Sequence, residues 1–150
     1  MVRQGYLPWL REGRPVAAYA ADPRAYFAEH STPQRYLRSN IDLLGDPSLR
    51  FPPAQLTGID PAARIHDSAV IQEPVRIGPK AVISREARVG PNVVIGRGAV
   101  VQPRARISDS VVWAGTSALG VLERCIVTPR RVIEVDKKDF KRYQTDRSNI

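Results

Sequence analysis

Few side chains in this 150-residue chain are of the types that do chemistry. It has two histidines, His30 and His66, and one cysteine, Cys125. His66 could act as a general base, although an exposed surface histidine also explains it. A zinc site built on three imidazoles is excluded because a third histidine is missing, and the lone cysteine excludes a disulfide or a thiolate zinc cluster. We expect no cofactor and no metal in this chain.

Two serines and one glycine pair complete the candidates. Ser110 and Ser117 have no histidine and aspartate that the sequence places beside them, so no nucleophile is predicted. Gly96-Arg97-Gly98 is too short for a phosphate-binding loop. No catalytic residue is therefore assigned, except His66 under the general-base alternative.

A six-residue repeat must position these side chains. From residue 59 every sixth residue is apolar, and the fifth residue of each hexad is small over most of the run. A period of six keeps no single face of an α-helix, and turns this frequent leave strands too short for hairpins. Three strands per coil then predict four coils of a parallel β-helix over residues 59–130. The predicted inward positions are Ile59, Ile65, Ile71, Ile77, Ile83, Val89, Ile95, Val101, Ile107, Trp113, Leu119 and Cys125.

Outward positions precede each inward one and stack from coil to coil. Outward valines in register indicate an apolar stripe covered by the N-terminal segment, the C-terminal tail or a second subunit, although β-branched residues also simply suit strands. We therefore expect a homo-oligomer, a dimer or a trimer. Outward arginines also stack in register on one face and form an arginine ladder. Their mutual repulsion should be offset by the carboxylates of Glu73, Asp109 or Glu123, or by an anion. The predicted interface residues are Val82, Val100 and Ala118 on one face and Val94 and Val112, between Arg76 and Arg130, on the next; the ladder is Arg88, Arg106 and Arg124.

The N-terminal part predicts a small α/β segment. Its elements are a short helix at 6–10, strands at 16–21 and 24–28, and a helix from a Ser31 or Thr32 cap to Gly45. In that helix Leu37, Ile41 and Leu44 form one apolar stripe.

The predicted domains are 1–45, a Pro-rich linker at 46–58, the β-helix at 59–135 and a helical tail at 136–150. A last strand is expected at 131–135, and a short charged helix at 136–143.

The hexads resemble those of the hexapeptide-repeat proteins, which fold as a left-handed parallel β-helix. A second stretch, Tyr26-Phe27-Ala28-Glu29-His30-Ser31-Thr32-Pro33-Gln34-Arg35-Tyr36-Leu37, is similar to the end of the catalytic domain in sugar-1-phosphate nucleotidyltransferases. The mannose-1-phosphate guanylyltransferase type is closest in layout. Residues 1–45 would then be the remnant of that catalytic domain.

The departures from that family bear on activity. Glu29 occupies the position of the family's magnesium-binding aspartate, and its extra methylene would misplace a metal oxygen. The glycine-rich phosphate loop and signature lysine of the nucleotide-binding half are missing. The resemblance thus implies the C-terminal part of a sugar-nucleotide pyrophosphorylase, which acts in oligomerisation or regulation and is inactive alone. In the complete enzyme a catalytic domain that uses Mg²⁺ would lie upstream. A hexapeptide acyltransferase with His66 as base and a stand-alone β-helix scaffold stay open.

Composition limits the partners. The net charge is +8, but the basic residues are spread evenly without a nucleic-acid-binding motif, so we expect no nucleic-acid partner. The apolar runs are too short for a membrane span, and no signal peptide precedes them. The sequence predicts a soluble, cytoplasmic, mainly β protein.

Overall fold

The chain between residues 58 and 134 consists of very short strands. The computed structural model describes residues 2–22, 26–45 and 56–140. In chain order the strands are β1 (Gly58–Ile59), β2 (Arg64–Ile65), β3 (Val70–Ile71), β4 (Val75–Ile77), β5 (Val82–Ile83), β6 (Arg88–Val89), β7 (Val93–Ile95), β8 (Val100–Val101), β9 (Arg106–Ser108), β10 (Ser110–Val112), β11 (Ser117–Ala118), β12 (Val121–Glu123), β13 (Cys125–Val127) and β14 (Val132–Glu134).

These strands stack into three sheets, which we call faces A, B and C. Face A has the order β1-β4-β7-β10-β13-β14, face B has β11-β8-β5-β2 and face C has β12-β9-β6-β3. Every pair is parallel except β13 with β14, which is antiparallel. The predicted parallel β-helix of four coils is confirmed, and so is the last strand near residues 131–135.

Tight turns make the corners of the coils. The amide of Ala81 donates to the carbonyl of Gly78 at 3.3 Å, and the amide of Ala105 donates to that of Gln102 at 3.1 Å. The residue just before the small one takes a positive φ, 59° at Lys80. A positive φ at this position is typical of a type II turn. The small residue that follows is buried in the core, as at Ala81 and Ala105.

The inward aliphatic side chains form one core column. Six of the predicted positions are at most 2% exposed: Ile77, Ile83, Val89, Ile95, Val101 and Ile107. Ile65 and Ile71 are only partly buried because β2 and β3 are edge strands of their sheets, with a neighbouring coil on one side. Ile59, predicted to point inward, is 40% exposed.

The prediction of an uninterrupted repeat is wrong beyond Ile107. Up to β9 the coils pair with a spacing of 18 residues, as in Arg88↔Arg106. Val94 then pairs with Val111, and Arg106 with Val121, which are spacings of 17 and 15 residues. Two corners cause this: the one between Ala118 and Val121 is shortened by two residues, and the one at Ser108–Ser110 is shortened by one. The buried Ser110 hydroxyl closes it by donating to the carbonyl of Ser108 at 2.6 Å.

The shorter coils reverse several predicted side-chain directions. Val112 and Ala118, predicted to point outward, are fully buried in the core. Trp113 and Leu119, predicted to point inward, are exposed. Cys125 is buried, as predicted, but it lies two residues before the inward Val127.

The membership of the arginine ladder, and of the outward row predicted at Val94 and Val112, changes for the same reason. The ladder has two members, because Val121 takes the place that was predicted for Arg124. On face A the outward row runs from Arg76 through Val94 and Val111 to Ile126, so Val112 and Arg130 do not belong to it.

A helix covers face A. Helix α2 (Pro33–Gly45) begins as predicted, with the Thr32 hydroxyl oxygen accepting from the amide of Arg35 at 3.3 Å. Its predicted apolar stripe is buried, and it packs against outward residues of β10 and β13. Face A therefore has an intramolecular cover, and Val94 packs against it. The buried residues of this contact are Leu37, Ile41, Val111, Ile126 and Val135.

The first residues differ from the sequence prediction. Helix α1 (Leu7–Arg11) agrees with the predicted short helix, and a π-helical turn at Val2–Tyr6 precedes it. Residues 16–21 are not a strand, because no other described segment pairs with them; part of the strand predicted at 24–28 and the linker at 46–55 lie outside the described residues. A helical turn starts at Lys137, and residues 141–150 lie outside the described part. None of the helices in the described part is long and apolar enough to cross a membrane.

Candidate functional site

The segment that resembles the nucleotidyltransferase motif lies at the start of α2. The carboxylate of Glu29 forms an ion pair with Arg35, and Arg35 also donates to the hydroxyl of Ser31 at 3.1 Å. The oxygen that the resemblance associates with magnesium is thus engaged by a guanidinium. Among the described residues no three His, Cys, Asp or Glu side chains lie together so as to hold a metal ion.

An aromatic cluster joins this segment to the β-helix. The ring centroids of His30 and Tyr36 are 5.6 Å apart, and those of Tyr36 and Trp113 are 6.3 Å apart, both edge to face. Tyr36 and Trp113 line two cavities of about 260 and 350 Å³. The repeat gave no signal for this cluster, because it placed Trp113 inside the core.

The geometry of His66 does not favour a general base. Its Nδ1 accepts from the amide of Ser68 at 3.2 Å and lies 2.9 Å from the Ser68 hydroxyl. A neutral ring that accepts at Nδ1 carries its proton on Nε2, so neither nitrogen offers a free lone pair to a substrate. His66 is exposed and closes a local turn in the first coil.

The serines and the cysteine have structural roles. The Ser110 hydroxyl accepts from the amide of Cys125 at 2.9 Å, and the Ser117 hydroxyl accepts from the side chain of Gln102 at 2.7 Å. Burial raises the pKa of the Cys125 thiol, with Glu134 acting in the same direction. A thiol with a raised pKa is a weak nucleophile, so Cys125 acts as a small core residue.

Face C carries a groove with two arginines at its centre. Arg88 in β6 and Arg106 in β9 are direct register partners, and both are exposed. They line a groove of about 310 Å³ with Gln72, Ser108 and Gly90, and Val70 and Val121 also line it. The groove places two guanidinium groups side by side, and the 18-residue spacing predicted its two arginines.

A family model matches a large part of the β-helix. Residues 71–138 match the family model described as the GMPPB C-terminal domain, which belongs to the sugar-1-phosphate guanylyltransferase family. The predicted resemblance to a guanylyltransferase C-terminal β-helix is confirmed. The matched segment includes Trp113 and the two groove arginines, whereas α2 and the residues before it lie outside the match.

Comparisons with whole proteins add little to the GMPPB C-terminal domain match. No curated protein matches the chain. Among solved structures, a mutant of perosamine N-acetyltransferase from Caulobacter crescentus, in complex with CoA and GDP-perosamine, is 17% identical over 53% of this chain and 56% of that chain, with a TM-score of 0.38. The chain therefore spans about half the length of that protein, and the likeness carries no functional argument.

Proposed function

We propose that this chain is the C-terminal β-helix portion of a sugar-nucleotide pyrophosphorylase-like protein, in which it serves oligomerisation or regulation and not catalysis. The match of residues 71–138 supports the link to sugar-nucleotide chemistry. The observation that carries the proposal is the exposed apolar surface of the first thirty residues, which a further domain would cover.

That surface is large for so short a segment. Helix α1 has no buried residue, and Tyr19 and Phe27 are 92% and 87% exposed. The rings of Tyr6 and Trp9 lie edge to face with centroids 6.3 Å apart, and exposed apolar groups that lie together favour a protein contact. The occupant that fits is a catalytic domain on the same polypeptide, since this segment resembles the end of such a domain. The other exposed apolar residues are Tyr6, Leu7, Trp9, Leu10 and Val16.

The first test is an activity measurement. The purified 150-residue chain should release no pyrophosphate from a nucleoside triphosphate and a sugar 1-phosphate in the presence of Mg²⁺. The physical reason is that phosphoryl transfer needs positioned cations and phosphate-binding amides, and Glu29 is already paired with Arg35. Magnesium-dependent turnover by the purified chain would contradict the assignment of catalysis to another domain, and its loss in Glu29→Gln would place that activity at Glu29.

The second test concerns self-association through face B. Val82 and Val100 pair in register on this face and are half-buried, with no helix over them in the described residues. Fully covering an exposed valine contributes about 1.5–3 kcal/mol, and covering the rest of a half-buried one contributes roughly half of that. We expect light scattering at micromolar concentration to give a dimer or trimer, and Val100→Glu to shift it toward monomer while the circular dichroism spectrum is retained.

A matched variant separates this effect from general charge. Val132→Glu adds the same carboxylate at an exposed valine in β14, away from face B. It should leave the association state unchanged. A monomeric parent chain, or equal effects of the two variants, would remove face B from the proposal.

A further inference from the structure

The two arginines of face C are not neutralised by the protein. Neighbouring strands are about 4.8 Å apart, so the side chains of Arg88 and Arg106 leave the sheet side by side. Neither makes a side-chain hydrogen bond or an ion pair within the described ranges. Other coil arginines do: Arg76 pairs with Asp60 at 3.6 Å, and Arg104 pairs with Glu86 at 2.9 Å.

The carboxylates expected to offset this pair are engaged elsewhere. Glu73 accepts from the amide of Val75 at 2.9 Å, and Asp109 accepts from the side chain of Asn92 at 2.8 Å. Glu123 lines the groove but forms an ion pair with Arg124. Two adjacent positive charges thus face the same groove. Of the two expectations from the sequence, neutralisation by these carboxylates or by an anion, the anion is the one that the structure leaves open.

The groove has the size and lining of a small-molecule site. Its volume of about 310 Å³ lies at the lower end of the range for ligand pockets. Gly90 lets the two coils approach closely beneath the groove, because a Cβ there would lie 1.8 Å from the backbone carbonyl oxygen of Gln72. The Gln72 amide and the Ser108 hydroxyl add donors beside the guanidinium pair.

We propose that this groove binds the diphosphate group of a small phosphorylated metabolite. A guanidinium is a planar fork that binds phosphate oxygens in pairs, and two forks on adjacent strands offer one to each of two linked phosphoryl groups. Val70 and Val121, which are 50% and 78% exposed, supply apolar contact for the organic part. The proposal is independent of the proposed function, because it involves neither face B nor the N-terminal segment.

Titration calorimetry with pyrophosphate on the full chain tests the site. We expect binding at low ionic strength that is at least about tenfold tighter than that of inorganic phosphate. Arg88→Gln and Arg106→Gln should each weaken pyrophosphate binding by about tenfold or more, and the double variant should abolish it. Both side chains are exposed, so circular dichroism should be unchanged.

The matched control is Arg97→Gln, which removes one positive charge at an exposed corner away from the groove. It should leave pyrophosphate affinity within about twofold of the parent chain. Equal losses in Arg97→Gln and Arg88→Gln would assign the binding to the net charge and overturn the site. Undetectable pyrophosphate binding at millimolar concentration, or equal affinities for phosphate and pyrophosphate, would overturn the diphosphate assignment. A nucleoside diphosphate that binds more tightly than pyrophosphate, with the same loss in both groove variants, would support the role of the valines.

Discussion

Replacing Ile95 with aspartate is expected to unfold the β-helix. Ile95 lies in β7 at the centre of the core column, has no exposed surface and pairs with Ile77 on one side and Val112 on the other. Aspartate would place a carboxylate there without a partner, and the apolar contacts of the isoleucine would be lost. The two losses together exceed about 4 kcal/mol, which is most of the stability of a small domain.

Urea unfolding followed by circular dichroism measures this effect. Ile95→Val supplies a variant that folds, and it should cost about 0.5–1.5 kcal/mol. Val121→Asp is the matched control, because the same carboxylate at a 78% exposed valine should change the free energy of unfolding by less than about 0.5 kcal/mol. A folded Ile95→Asp protein with the midpoint of the parent would contradict the core column.

The sequence predicted most of the β-helix because a stacked coil repeats its own geometry. An apolar residue at every sixth position, with small residues at the corners, predicted that the side chains from Ile77 through Ile107 point inward. The structure confirms that these side chains are buried. Beyond that point Trp113 and Leu119 keep the apolar period although the chain has already lost a residue at Ser108–Ser110. The pattern did not predict a polar residue in the core. Ser110 is tolerated there because its hydroxyl forms hydrogen bonds with Ser108 and Cys125.

The candidate sites could be predicted only where they follow the repeat. Arg88 and Arg106 are one full coil apart, so the spacing alone placed them together. The contact of Tyr36 with Trp113 joins α2 to a corner of the coil and depends on tertiary packing, which no local pattern encodes. Similarly, the apolar residues of 16–21 satisfied a strand pattern, but a strand also needs a partner, and the described residues supply none.

Gly90→Ala is expected to be the most damaging single-methyl change in the coils. Gly90 follows β6 with a φ of 113°, a conformation that is open only to glycine. A Cβ at this position would lie 1.8 Å from the carbonyl oxygen and 2.7 Å from the carbonyl carbon of Gln72. Because both atoms belong to the backbone of the preceding coil, relief requires the coils to separate. We expect a loss of about 3 kcal/mol or more in the free energy of unfolding.

Gly98→Ala is the control for Gly90→Ala because it isolates the conformational part of this cost. Gly98 also has a positive φ, 63°, but a Cβ there would meet nothing within 4 Å. Its replacement should cost about 1–2 kcal/mol, the penalty of a left-handed backbone alone. The difference between the two variants in urea unfolding then measures the contact between coils together with the added backbone strain of the φ of 113° at Gly90. Equal costs would mean that the coils at Gln72 and Gly90 are further apart than in this structure.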